Sequence, residues 1–303
     1  MKKLVRVMKL LLMIILLIVG IGILLYPDYM NWRESNRHIG FIQGYNEDVA
    51  LMAAAELEYE LERARIFNEG ITDISVNDPW GEGDNDVVGT AEYYTLLNFS
   101  GNSMMGRIQI PAINVDLPIF HGSTSAVLDR GVGHMPHTSL PIGGYGNHSI
   151  LTAHTGMVNA RLFTDLEFLP MGEVFVITIG THRIAYRVVD RNVVLPHEID
   201  ILQTYWNRDL VTLVTCTPYG INTERLLVLG ERIPYYEGML NDIDVVIDLL
   251  NIRHIAVIGI LSFFSLVSFF RWQRTRERKE MRESSDEYLN QKHGKEYDEM
   301  FGD

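Results

Sequence analysis

The 303-residue chain has one cysteine, Cys216. That excludes a disulfide within the chain. Between Pro27 and His254 it has no lysine, against 14 arginines and 30 acidic residues, a net charge of −16. An acidic surface of this kind argues against nucleic acid as a partner. No internal repeat is visible, which excludes a repeat architecture. Charge itself is missing from two stretches. Leu10 to Tyr26 is uncharged over 17 positions, and Ile255 to Phe270 over 16. Each is near the lower limit for a helix that spans a bilayer.

The first stretch competes with a signal peptide, but no small-x-small cleavage site follows it: Tyr26-Pro27-Asp28-Tyr29-Met30 is too bulky. The second competes with a buried core helix, yet Arg253 and Arg271 are placed to snorkel to the interfaces. Lys2, Lys3, Arg6 and Lys9 precede the first stretch, and Arg271, Arg274, Arg276, Arg278, Lys279 and Arg282 follow the second. The positive-inside rule then predicts a two-pass protein of the cell membrane, with both termini cytoplasmic and the middle of the chain outside. An unpaired thiol kept outside is a liability unless it is buried or used. This raises the weight on Cys216 as a nucleophile rather than a small buried hydrophobe.

The pattern around Cys216 is informative. Leu210 to Val214 is an apolar, β-branched run that predicts a buried strand leading into Thr215-Cys216-Thr217-Pro218. Pro218, Gly220 and Asn222 predict a turn, and Leu226 to Leu229 a second strand. Folding back brings Arg225 beside Cys216, and a guanidinium favours the thiolate. Upstream, Ser149-Ile150-Leu151-Thr152-Ala153-His154 offers a base, His154. A Cys with a distant His is the general signature of cysteine acyl transfer. Thr215 reads equally as a hydroxyl contact or as plain strand. His121, His134, His137 and His148 crowd the same region, but their spacing is irregular and no second cysteine joins them, so neither metal nor cofactor is expected.

Along the chain, Tyr45 to Phe67 has helical periodicity, with Gly70 as a stop. Asn77 to Asp86, containing Asp78-Pro79-Trp80, is loop chemistry throughout. Short β segments begin near Met105: Gly106–Pro111, Val115–Phe120, Asn147–Ala153, a hairpin from Val174 to Val189, then Val193–Pro196 and the two strands already named. Arg161–Leu166 reads as a short helix, Glu237–Asn251 as a juxtamembrane helix and the tail beyond Arg282 as unstructured. The expectation is a mainly β fold, a closed barrel of about eight strands with short helices. The predicted divisions are a cytoplasmic N-terminus and membrane helix (1–27), an outer helical segment with a loop (28–101), the barrel (102–235), a juxtamembrane helix (236–253), a second membrane helix (254–271) and a cytoplasmic tail (272–303).

These motifs together, Thr212 to Pro218 with Arg225 nine positions after Cys216, and Leu151 to Gly156 around His154, resemble the sortases, cell-surface cysteine transpeptidases of Gram-positive bacteria. The likeness covers about Asn102 to Pro234. The Asn77–Trp80 segment, the run Ala160–Leu166 and the second apolar stretch resemble the class C, pilin-polymerising branch. Two departures are Ala153, where many members have Gly, and Glu224, where His is common. The resemblance implies cleavage of an LPXTG-like sorting signal between Thr and Gly and a thioester on Cys216. The acyl group then passes to a lysine amine of the next pilin. It also implies Cys216, His154 and Arg225 as the catalytic set, with Asp78, Pro79 and Trp80 as a lid, and Val193–Ile201 as a candidate wall for the Leu-Pro part of the signal. The alternatives are a sortase of another class that attaches proteins to the cell wall, or a non-catalytic surface scaffold.

Overall fold

The computed structural model describes residues 2–71, 78–80, 89–157, 160–202, 205–240 and 252–301. Helix α1 (Lys2–Leu51) is continuous through Pro27. Its apolar stretch makes it, among the described residues, the one helix long and apolar enough to cross a membrane. The expected helix at Tyr45–Phe67 is therefore two helices. It breaks at Ala53, whose extended backbone (ψ 144°) starts α2 (Ala54–Glu69), and α2 stops at Gly70 as expected. The apolar stretch and the amphipathic stretch after it share one helix assignment, where the local patterns separate them.

Eight strands follow: β1 (Met104–Ile110), β2 (Val115–His121), β3 (Val132–His134), β4 (His148–Thr152), β5 (Val174–Ile179), β6 (His182–Val194), β7 (Leu210–Thr217) and β8 (Glu224–Ile233). They close into a barrel in the order β1-β2-β3-β4-β7-β8-β6-β5. β2–β3 and β4–β7 are parallel; the other neighbours are antiparallel. Helix α3 (Ser125–Leu128) makes the β2–β3 corner.

Several boundaries differ from the sequence expectation. β3 escapes it because three residues are too few for a period-2 signal. Val193-Val194 is the end of the 13-residue β6, carried past a register break between Val188 and Asp190. The short helix expected at Arg161–Leu166 is a 3₁₀ segment at Thr164–Phe168. The described part of the expected juxtamembrane helix, Glu237 to Leu240, is turn, and Asn241–Asn251 lies outside the described residues. Beyond Arg282 the chain is helical rather than unstructured, as part of α4 (Ile252–Phe301). That helix contains the second uncharged stretch.

Ile108, Ile119, Leu151, Ile177, Leu213 and Val228 fill the barrel, with Phe175 stacked on Tyr186 at 5.5 Å. Leu57, Leu61 and Ala64 of α2 extend this core. Gly180 takes φ +56°, and a Cβ there would lie 2.5 Å from the Leu57 side chain, so both conformation and space require glycine. Asn68, the last buried residue of α2, grips the barrel by its amide: it donates to the Leu140 carbonyl (3.0 Å) and accepts from the Leu140 N–H (2.7 Å). Tyr45 of α1 does the same for β1 and β5. Its buried hydroxyl donates to the Met105 carbonyl (3.0 Å) and accepts from the Gly180 N–H (2.7 Å).

Replacing Tyr45 with Phe leaves both backbone groups without that partner in a buried place. The expected loss is about 1–3 kcal/mol of stability, read as a lower denaturant midpoint with unchanged slope. An unchanged midpoint would show that the hydroxyl does not hold α1 to the barrel.

Candidate active site

The β7–β8 pairing places Cys216 directly opposite Arg225. In an antiparallel ladder such partners have Cα atoms about 5 Å apart. Both side chains are buried, Cys216 at 7% exposure and Arg225 at 4%. His154 arrives from another strand. The parallel β4–β7 register aligns Thr152 with Val214. Continued two residues further, that register sets His154 against Cys216. Two bonds hold the extension: the Ala153 N–H donates to the Val214 carbonyl (3.2 Å), and the Thr215 hydroxyl donates to the Ala153 carbonyl (2.7 Å). Thr215 thus makes a hydroxyl contact, and it is the residue that ties the His154 segment to the Cys216 strand.

The loop residues Asp78, Pro79 and Trp80 lie on this group; Asn77 and Gly81–Asp86, also read as loop, lie outside the described residues. Asp78 accepts two charge-assisted bonds from Arg225, from Nε at 2.6 Å and Nη2 at 2.7 Å. The remaining Arg225 nitrogen, Nη1, donates to the Asn222 and Glu224 carbonyls at 3.0 and 2.9 Å. Glu224 therefore meets Arg225 through its backbone carbonyl. The Trp80 ring lies 5.1 Å from the guanidinium carbon, in cation–π range. Its indole N–H donates to His154 Nδ1 at 3.0 Å. The same indole packs on an apolar patch of Met135, Ile150, Leu202, Val214 and Leu227, beside Val194. Val194 lies within, and Leu202 just beyond, the Val193–Ile201 segment that the sequence suggested as a substrate wall.

Electrostatics follow from the cover. Burial pushes the Cys216 thiol up to about 11; Arg225 pulls it down and Asp78 pushes it up again. At neutral pH the covered residue is a thiol. Burial lowers the His154 pKa, and the Asp129 carboxylate works against that. Asp129, which no sequence signal flagged, sits 3.8 Å from His154 Nε2. It lies 25 positions upstream, on a corner whose neighbourhood only the folded chain defines.

The other histidines are placed differently. His121 bonds the Ser103 and Leu96 carbonyls at 3.0 and 2.7 Å. His134 bonds the Tyr93 hydroxyl and the Ser139 carbonyl at 2.9 and 2.8 Å. Burial holds His134 down to about 3, a neutral imidazole. His148 pairs with the Thr212 hydroxyl at 2.7 Å. His137 is exposed. Among the described residues, no three His, Cys, Asp or Glu side chains gather as a metal site would require.

Residues 108–233 match the family model "Sortase domain". Among curated proteins, the chain is 29% identical over 131 residues to Sortase A of Streptococcus agalactiae serotype III, covering 42% of this chain and 52% of that one. It is 26% identical over 130 residues to Sortase A of Bacillus anthracis, covering 43% and 60%. The chain thus spans about half to three-fifths of these curated relatives. Solved structures are more similar. "Sortase C1 of GBS Pilus Island 1" is 40% identical, with TM-score 0.59, covering 65% of this chain and 92% of that one. Sortase C-1 of Actinomyces oris is 43% identical, with TM-score 0.55, covering 60% and 99%. Identity at this level over nearly whole solved domains, on the same eight-stranded barrel, means that the chain belongs to the sortase family of cysteine transpeptidases, in its class C branch.

Proposed function

We propose that the chain is a membrane-anchored transpeptidase that joins pilin subunits, with Cys216, His154 and Arg225 as its catalytic residues. The observation that carries this reading is the convergence of those three side chains, from three strand ends, beneath Asp78 and Trp80. In the proposed cycle, the Cys216 thiol gives its proton to His154. The sulfur attacks the Thr carbonyl of an LPXTG-like signal, and Arg225 donates to the oxyanion. The C–N bond to Gly then breaks, and His154 returns the proton to the departing amine. A lysine amine of the next pilin attacks the thioester, a C–N bond forms, and the C–S bond breaks. The amine proton passes through His154 to the leaving sulfur. Similarity to a sortase of a pilus island supports pilin as the substrate class. The uncharged stretches and their basic flanks support a two-pass arrangement with the barrel outside.

In this reading Asp78-Pro79-Trp80 is a lid, since a signal peptide cannot reach Arg225 or His154 while Asp78 and Trp80 hold them. Alanine at both Asp78 and Trp80 removes the carboxylate that raises the thiol and much of its cover. Bringing the thiol from about 11 toward its ordinary 9.0 increases the thiolate fraction, at any pH below both, by up to about 100-fold. The rate of Cys216 alkylation at pH 7.5 should rise accordingly. An alkylation rate equal to that of the unaltered chain would rule out the gate.

Mass spectrometry of the full chain with an LPXTG peptide tests the chemistry. The lid-altered protein should carry an acyl adduct on Cys216 that disappears when His154 is replaced. Arg225→Lys keeps the charge but loses the fork, and should slow adduct formation about 100- to 1000-fold. Absence of any adduct, with and without the lid residues, would overturn the transpeptidase reading for this signal class.

A further inference from the structure

Asp129 stands where a base-orienting group would stand. His154 has two ring nitrogens with two distinct neighbours. Nδ1 accepts the Trp80 indole N–H at 3.0 Å, and an indole nitrogen only donates. The neutral imidazole therefore carries its proton on Nε2. That nitrogen faces the Asp129 carboxylate at 3.8 Å, the one carboxylate within 4 Å of this ring's nitrogens among the described residues. Asp78 is committed to Arg225. Nδ1 thus points to the lid, and to whatever replaces the lid, while Nε2 points away from it.

The position of Asp129 is built rather than incidental. It closes α3, its N–H donating to the Ser125 carbonyl at 2.9 Å. The next residue, Arg130, has its guanidinium carbon 4.4 Å from the Phe120 ring and 5.1 Å from the Phe41 ring, which fixes the corner from the other side. Gly131 follows, and a Cβ there would lie 2.8 Å from the Pro118 carbonyl. The chain can approach β2 this closely only with glycine.

We propose that Asp129 is the positioning residue of the catalytic base: it holds His154 as the Nε2–H tautomer, leaving Nδ1 to exchange protons with thiol and amine, and it stabilises the imidazolium formed in each half-reaction. This rests on the reading of His154 as base. The proton balance is simple. Nδ1 takes the thiol proton, the ring becomes a cation beside Asp129, and Nδ1 passes the proton to the departing amine. Asp129 itself neither gains nor loses a proton. Its 62% exposure keeps the attraction modest.

The experiment uses the full chain in detergent, with the lid residues replaced by alanine, and compares Asp129, Asp129→Asn and Asp129→Glu. Side-chain nitrogen NMR of His154 gives tautomer and titration midpoint without any turnover. With Asn the midpoint should fall by about 0.5 to 1 pH unit, the size of one charge near 4 Å in a water-like medium. The Nε2–H fraction should fall with it. The rate of thioester formation should drop about threefold to tenfold in kcat with KM unchanged, and Glu should restore both readouts. Unchanged tautomer and midpoint in Asp129→Asn would overturn the assignment, even if the protein acylates normally. Absence of acylation in every variant, with the midpoint shifted, would instead count against the transpeptidase reading and leave the Asp129–His154 coupling standing.

Discussion

The bidentate contact between Asp78 and Arg225 is the interaction on which the state of the site depends. Both side chains are almost out of water, at 8% and 5% exposure. Neither ion would be stable there alone: removing either partner from a buried pair leaves a charge whose desolvation nothing offsets. The guanidinium therefore needs an anionic or strongly accepting partner at all times. In the covered molecule that partner is Asp78. In a reacting molecule the oxyanion of the acyl group would fill the same requirement. Arg225 thus makes the two states exclusive. Burial is what chiefly raises the thiol, and the Asp78 charge adds to it by offsetting the pull of Arg225 on Cys216.

Trp80 extends that logic to the base. It lies two residues from Asp78, so in the proposed gating one displacement would release Arg225 and His154 together. The apolar patch beneath the indole, from Met135 to Leu227, then opens as well. An apolar patch beside a buried cation and an imidazole is the combination that a peptide with an apolar segment and a scissile carbonyl requires. Asp78 and Trp80 are held by the features that would hold such a peptide in the proposed reading.

The local half of this site was legible in the sequence and the non-local half was not. Cys216 and Arg225 lie on a strand, a short turn and a strand, and such a unit folds back with one register. The pairing that results faces Arg225 to Cys216, with Leu226 and Val228 in the barrel core and Leu227 on the patch under Trp80. His154 is different. Its place depends on parallel pairing of β4 with β7, 62 residues apart, with β5 and β6 between them in sequence but on the other side of β8 in the barrel. No local pattern encodes that crossover; the residue types suggested His154 as a distant base for Cys216, and the resemblance named it as part of the catalytic set. Asp129 was invisible for the same reason. The barrel was legible because seven of its strands are long enough to alternate. β3 has three residues, the middle one Gly133, and α1 hides its length by changing from an all-apolar to an amphipathic pattern midway.

The histidine crowding resolves by partner type. His121 and His134 are buried and bonded to backbone carbonyls, which cannot leave, and His134 is held neutral at every ordinary pH. Those rings serve as struts around the Tyr93 hydroxyl and the β2–β3 edge. His154 has no such lock on its ring. One nitrogen meets the Trp80 indole, and the other faces the exposed carboxylate of Asp129. A proton can be taken up and released only at a nitrogen whose partner can be exchanged. Of the buried and half-buried imidazoles near the barrel mouth, the ring bonded to the lid is the one so placed. Burial lowers both imidazoles, His134 among fixed backbone partners and His154 beside Trp80, whose displacement in the proposed gating would relieve the second.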